Sequence, residues 1–125
     1  LVPGDHGTIY GSNPLCTAAV STVFDMFEKY KLCDHVNRIA PLFIETLDRL
    51  VEKYDFVTER RGMGLMQGLV LTVPVADVVK KALLEENLVV LSAGGNVLRM
   101  LPPLVITEQD VDNFKVKIEA VFDAM

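Results

Sequence analysis

The chain has 125 residues, of which half are hydrophobic, and a formal net charge of −5. That is one domain's worth of polypeptide with enough apolar residues to bury a core, which excludes disorder as the expectation. The acidic balance argues against a nucleic-acid binder, no apolar run approaches the roughly 20 residues of a membrane helix, and no signal-peptide pattern is visible.

The first twelve residues, LVPGDHGTIYGS, form a loop rich in glycine and hydroxyls. Asn13-Pro14 then starts a helix, since Asn caps and Pro at the first helical position loses no needed N–H. Leu15, Ala19, Val23 and Phe27 follow at i+4 steps, with Cys16, Val20 and Phe24 beside them, so the first helix is amphipathic and runs to about Tyr30. Cys16 and Cys33 lie near its two ends, too far apart for a bridge along it and outside any metal-ligand spacing. They read as small packed free thiols, which suits a reducing cytosol.

A second helix covers about Asp34 to Tyr54, with the stripe Val36, Ile39, Phe43, Leu47, Leu50 and Tyr54. Pro41 lies inside it and is expected to kink or restart it. Glu45 and Arg49 have the spacing of an i,i+4 pair. From Val57 to Leu71 the glycines Gly62, Gly64 and Gly68 weaken any helix, and Leu65 to Leu71 reads as a strand. Val75 to Glu86 is a short helix with Val75, Val78, Val79 and Ala82 on one side. Leu88 to Leu91 reads as a buried strand. Gly94-Gly95-Asn96 turns the chain, so that Val97 to Leu101 pairs back as a hairpin ending at Pro102-Pro103. Thr107 and Asp110 resemble a capping box ahead of a last helix carrying Val111, Phe114, Ile118, Val121 and Phe122. The fold class is therefore α+β, a small antiparallel sheet of about three strands covered by helices, with no repeat and no linker.

Arg99 is the sharpest candidate for chemistry. It stands in the otherwise apolar strand Val97 to Leu101, where a guanidinium must pair with an acid, reach solvent or meet a ligand, and its planar fork suits a carboxylate. The loop His6-Gly7-Thr8-Ile9-Tyr10-Gly11-Ser12 offers backbone N–H groups and the hydroxyls of Thr8 and Ser12 to an anion, without the lysine of a phosphate-binding P-loop. His6 is a candidate general base, although a lone loop histidine is more often a surface residue. His35 begins a helix and is expected to be exposed. Arg60-Arg61 reads first as a solvated charge pair, with Arg61, beside the glycines, the better placed to hold a carboxylate. Met63, Met66 and Met100 read as core filler. No nucleophile, base and acid assemble into a set, and nothing resembles a zinc site.

Three motifs in order carry a family resemblance. HGTIYGSNPL resembles the loop of the class III pyridoxal-phosphate aminotransferases, which there reads His-Gly, two hydroxyl residues, an aromatic, then Gly-Gly-Asn-Pro-Leu. RGMGLMQGL, from Arg61 to Leu69, resembles their Arg-Gly-x-Gly-Leu-Met-x-Gly strand, and AGGNVLRMLPPLVIT, from Ala93 to Thr107, closely resembles the C-terminal motif of the acetylornithine branch. The resemblance implies a fold-type I enzyme, here its small C-terminal domain, that moves an amino group from N-acetylornithine to 2-oxoglutarate in arginine biosynthesis. It implies pyridoxal 5'-phosphate as cofactor, small amino-acid and 2-oxo-acid substrates and a homodimer. It makes residues 1–13 a loop contributed to the dimer and cofactor site, and residues 14–125 the small domain.

In that family Thr8 and its neighbour hold the cofactor phosphate across the dimer, and Arg99 matches the arginine that grips the substrate α-carboxylate. Two positions depart from the pattern. Ile9 stands where the family usually has the phosphate-binding Thr and its side chain has no donor to offer, and Ser12 replaces the first glycine of the pair. The Schiff-base lysine lies upstream in the family, and Lys29, Lys31, Lys53, Lys80, Lys81, Lys115 and Lys117 all read as solvated helix-face residues, so no catalytic residue is assigned here and the chain alone is expected to be inactive. A loop at the very start, with no element before it, reads as part of a longer enzyme. The rival expectations are a free-standing small-ligand binding or regulatory module, and a fragment of an aminotransferase for ornithine or another ω-amino acid.

Overall fold

The computed structural model describes residues 2, 7–9, 11 and 13–125. They fall into two compact units, Leu1–Cys33 and Asp34–Met125. The first holds helix α1 (Pro14–Lys29). Asn13 is its N-cap in extended backbone, its Oδ1 accepting from the Cys16 N–H at 2.9 Å, and Pro14 sits in the first turn. No residue of α1 is buried, and Leu15, Val20, Val23 and Phe24 all stand exposed. This corrects the reading of packed thiols: Cys16 and Cys33 are both exposed and free. The amphipathic stripe is present, but nothing described in the unit lies over it.

The second unit begins within α2 (Leu32–Lys53). The helix contains Pro41 without being divided by it, which corrects the expected restart. Proline there removes one N–H and crowds the preceding turn. The residues on either side, Ile39, Ala40 and Phe43, are buried on one face and hold the helix together. The Glu45–Arg49 pair is formed on the exposed side.

The sheet has strands β1 (Val57–Met63), β2 (Met66–Leu71), β3 (Leu91–Ala93) and β4 (Val97–Met100), in the order β1-β2-β4-β3, every pair antiparallel. Four strands, not about three, make the sheet. The additional one is β1, whose sequence VTERRGM lacks apolar alternation because only Val57 is buried. It is an edge strand, held by backbone pairing and blunted by charge. The hairpin at Gly94-Gly95-Asn96 pairs Ala93 with Val97, with Gly95 at φ +69. A three-residue loop sets that register, so β3 is Leu91–Ala93 and not the apolar run before it. Asn96 does more than turn: its Oδ1 accepts from the Val75 N–H at 3.2 Å, and its Nδ2 donates to the carbonyls of Val73, at 2.6 Å, and Leu71.

Helices α3 (Val75–Glu86) and α4 (Glu108–Asp123) complete the unit. The capping box is formed: the Asp110 N–H donates to Thr107 Oγ1 at 3.2 Å, and the Thr107 N–H donates to Asp110 Oδ2 at 2.8 Å. One core joins Phe43, Leu47 and Leu50 of α2 to Leu69, Leu71, Leu98 and Met100 of the sheet, and to Val78, Ala82, Val111, Ile118 and Phe122. The end of α2 is tied to α4 by the Tyr54 hydroxyl, which donates to Asp123 Oδ1 at 2.5 Å, while Lys53 Nζ lies 3.5 Å from both Glu119 and Asp123. That hydroxyl lowers the Asp123 pKa, and burial together with Asp123 raises that of Tyr54. His35, expected to be exposed, is half-buried: its Nε2–H donates to the Ile106 carbonyl at 2.7 Å, which fixes the tautomer, and Nδ1 accepts from Arg38. No helix among the described residues is long and apolar enough to cross a membrane.

Candidate functional site

Strand alternation builds the site. On β2, Gln67, Leu69 and Leu71 point into the core; on β4, Leu98 and Met100 do the same. Gly68, Val70, Val97 and Arg99 therefore share the other face of the sheet. The register sets Arg61 opposite Gly68, Gly68 opposite Arg99, and Arg99 opposite Leu91. These four positions form one row across that face.

A concavity of about 410 Å³ lies over this row, walled by Arg61, Met63, Met66, Ala93, Val97 and Arg99. Two of the expected core methionines belong to it: Met63 is 85% and Met66 55% exposed, while Met100 alone is in the core. Gly62 and Gly64, both at positive φ, turn β1 into β2 here and leave the methionines projecting. A Cβ at Gly62 would come within 2.2 Å of the Met66 carbonyl oxygen.

The arginines divide by role. Arg60 is a half-buried brace, donating from Nε to Asp48 Oδ1 at 2.5 Å and from Nη1 to Gln67 Oε1 at 3.0 Å, with Gln67 donating on to the Gly64 carbonyl at 2.8 Å. Arg61 reaches the concavity but is gripped by Glu59, Nε to Oε1 at 2.9 Å and Nη2 to Oε2 at 2.7 Å. That bidentate pair lowers the Glu59 pKa and raises that of Arg61. Arg99 has no acid. Its Nε is shut off from solvent and bonded to nothing among the described residues. A buried donor left unmade costs about 1–3 kcal/mol, and a guanidinium held this way in an apolar-walled hollow has the chemistry to accept an anion. Of the alternatives open for Arg99, an internal ion pair is excluded among the described residues.

A second hollow, about 150 Å³, lies between α4 and the segment after β4, lined by Phe43, Leu88, Met100, Ile106 and Phe114 among others. Its one charged lining residue, Asp110, is committed to the Thr107 cap. Of these two hollows, the one on the sheet face carries the arginines.

In the first unit, Thr8 and Ile9 are exposed, Ile9 by 90%. A Cβ at Gly7 would meet nothing within 4 Å, while one at Gly11 would lie 2.8 Å from the Thr8 methyl. A hydroxyl among glycine amides is a donor set that fits a phosphate. Ile9 adds no donor. His6 and Ser12 lie outside the described residues.

Sequence reading found Arg99 but not Gly68 as its neighbour, nor Glu59 as the partner of Arg61. The signals were the i,i+2 spacing of Glu59 and Arg61 in a strand, and the glycine centred between two arginine-bearing strands.

Comparison with known proteins sets this geometry in a family. The aminotransferase class-III model matches residues 1–122, and the chain belongs to that family. An acetylornithine aminotransferase of Methanocaldococcus jannaschii is 41% identical over 120 residues, covering 95% of this chain and 30% of the relative. The crystal structure of acetylornithine aminotransferase from Elizabethkingia anophelis superposes with a TM-score of 0.84 at 30% identity, over 100% of this chain and 34% of that one. An ornithine aminotransferase from Toxoplasma gondii ME49 gives a TM-score of 0.81 at 32% identity, over 99% and 30%. The chain thus spans about a third of the length of the relatives it matches.

Proposed function

We propose that this chain is the small C-terminal domain of a pyridoxal-phosphate-dependent aminotransferase that moves an amino group from N-acetylornithine to 2-oxoglutarate. The observation that carries the reading is Arg99, a guanidinium on a rigid strand inside the family's motif with no acid partner among the described residues. Residues 1–13 are then the loop that serves the cofactor site across a homodimer, and residues 14–125 the small domain. The exposed apolar residues of α1 are the surface that meets the rest of the enzyme. Two exposed free thiols suit the cytosol as its compartment.

When bound, pyridoxal phosphate supplies the electron sink for the amino-group transfer. Thr8 and the adjoining glycine amides hold its phosphate in this reading, with Ile9 contributing shape but no hydrogen bond. Arg99 takes a carboxylate by its planar fork, and the apolar walls of Met63, Met66 and Val97 exclude water around that pair. Of the two substrates, 2-oxoglutarate reacts at the carbon next to its carboxylate, whereas N-acetylornithine reacts at its far end. A clamp on the α-carboxylate therefore orients the 2-oxo acid most directly, fixing its reacting carbon a few ångströms from the guanidinium. The lysine that holds the cofactor belongs to the rest of the enzyme.

The likeness to an ornithine aminotransferase structure favours ornithine as the second reading of the amino donor. The test is amino transfer by the intact enzyme to 2-oxoglutarate from N-acetylornithine and from ornithine. A higher kcat/KM with the acetylated donor supports the proposal, preference for ornithine replaces it with the second reading, and transfer from neither overturns both.

A further inference from the structure

The row across the open sheet face has a single position without a side chain. Gly68 is paired with Arg61 on one side and Arg99 on the other. Directly opposed residues of an antiparallel pair stand about 4.5–5.5 Å apart on one face, so a Cβ at Gly68 would rise beside the Arg99 side chain. It would also lie 2.9 Å from Val97 Cγ1, 3.7 Å from the Leu98 carbonyl oxygen and 3.9 Å from that of Arg61. Val97 is β-branched, with one stiff rotatable bond, and is half-buried, so it has no flexible end to swing away.

Conformation does not call for glycine here. Gly62, Gly64 and Gly95 have positive φ, and Gly68 does not. A glycine inside a strand weakens it and leaves a face unfilled, which marks a place where something approaches the backbone closely. At Gly68 that place is beside the guanidinium with the unmet Nε.

We infer that Gly68 is a positioning residue for Arg99: its bare Cα is the floor over which the Arg99 side chain and its bound carboxylate lie. A methyl group on that floor occupies volume the carboxylate needs. Gly68 thereby limits the site to a carboxylate that can settle flat against the strands. The inference rests on the reading of Arg99 as a carboxylate clamp.

The test uses the intact enzyme with Gly68→Ala, Val97→Ala, the G68A/V97A double variant and Arg99→Ala. The readouts are the KM for 2-oxoglutarate, kcat, the Kd of glutarate as a non-reacting dicarboxylate, and Tm. The double variant removes the Val97 contact but keeps the methyl beside Arg99, and it carries the test if G68A alone does not fold. The expected result is a rise of about 10-fold in KM and in the glutarate Kd for G68A relative to wild type and for G68A/V97A relative to V97A, with kcat within about 3-fold in each comparison. Equal KM and Kd in G68A/V97A and V97A would make Gly68 a packing accommodation for Val97 and overturn the inference. So would unchanged values in both Gly68 variants when R99A weakens glutarate. If R99A itself leaves glutarate binding unchanged, the clamp reading fails first and this inference falls with it.

Discussion

The two faces of the sheet are made by the same short strands and have opposite character. On one, Leu69, Leu71, Leu98 and Met100 are buried against the helices, and the buried Gln67 amide is hydrogen-bonded to Arg60 and the Gly64 carbonyl. On the other, positions one residue away carry Gly68, Val97 and Arg99, an open hollow, and a buried donor with no partner among the described residues. Alternation with period two separates stability from function at single-residue resolution. The core face is filled by partners from the helices. The open face holds a charge with no partner among the described residues.

Substitution on each face is the way to break that contrast. The largest effect is expected from Leu98→Ala on the core face, since Leu98 is completely buried. It should lower unfolding free energy by about 2–5 kcal/mol, read from urea denaturation. One position along, Arg99→Ala should leave Tm unchanged or slightly raised, because it removes a donor with no bond to lose. It should instead raise the KM for 2-oxoglutarate by about 10- to 100-fold, the range of a charge-assisted hydrogen bond. Arg99→Lys should not restore it, because an ammonium lacks the planar fork. Equal loss of stability from the two alanine variants would erase the contrast between the faces.

A smaller effect belongs to the cap of α4, away from both faces. Thr107→Ala should cost about 1 kcal/mol without changing KM. Bonds from the Thr107 N–H and hydroxyl hold the Asp110 pKa below the usual carboxylate range. The folded-state pKa is then below the unfolded one. The contribution is fully present above the unfolded carboxylate value of about 4, and it is lost as pH falls through the lowered folded value. Asp110→Asn should therefore be less stable than wild type at pH 7, with the gap closing in acid; a gap independent of pH would show that the carboxylate charge has no part in the cap.

Much of this was legible in the chain. The stripe from Ile39 to Leu50, the spacing from Val111 to Phe122, the Asn13 and Thr107 caps and the Gly94-Gly95-Asn96 turn all depend on contacts within a few residues. Local physics decides such features, and they formed as read. Arg99 was also visible, because a guanidinium in an apolar strand is anomalous whatever surrounds it.

What the sequence by itself determined, then, is the α+β class, the helices and the buried faces of α2, α3 and α4, the hairpin, and one arginine in need of a partner. Tertiary structure alone decided the rest. It made a strand of Val57–Met63, whose side chains carry no alternation and whose place comes from backbone pairing with β2. It kept α2 undivided through Pro41, turned Met63 and Met66 outward, half-buried His35 against Ile106, and left Cys16 and Cys33 in the open. It also aligned Arg61, Gly68 and Arg99, which are distant along the chain. Register is a property of two strands together, so no window of sequence contains it; only the closed sheet shows which residues share a face and which of them has room beside it.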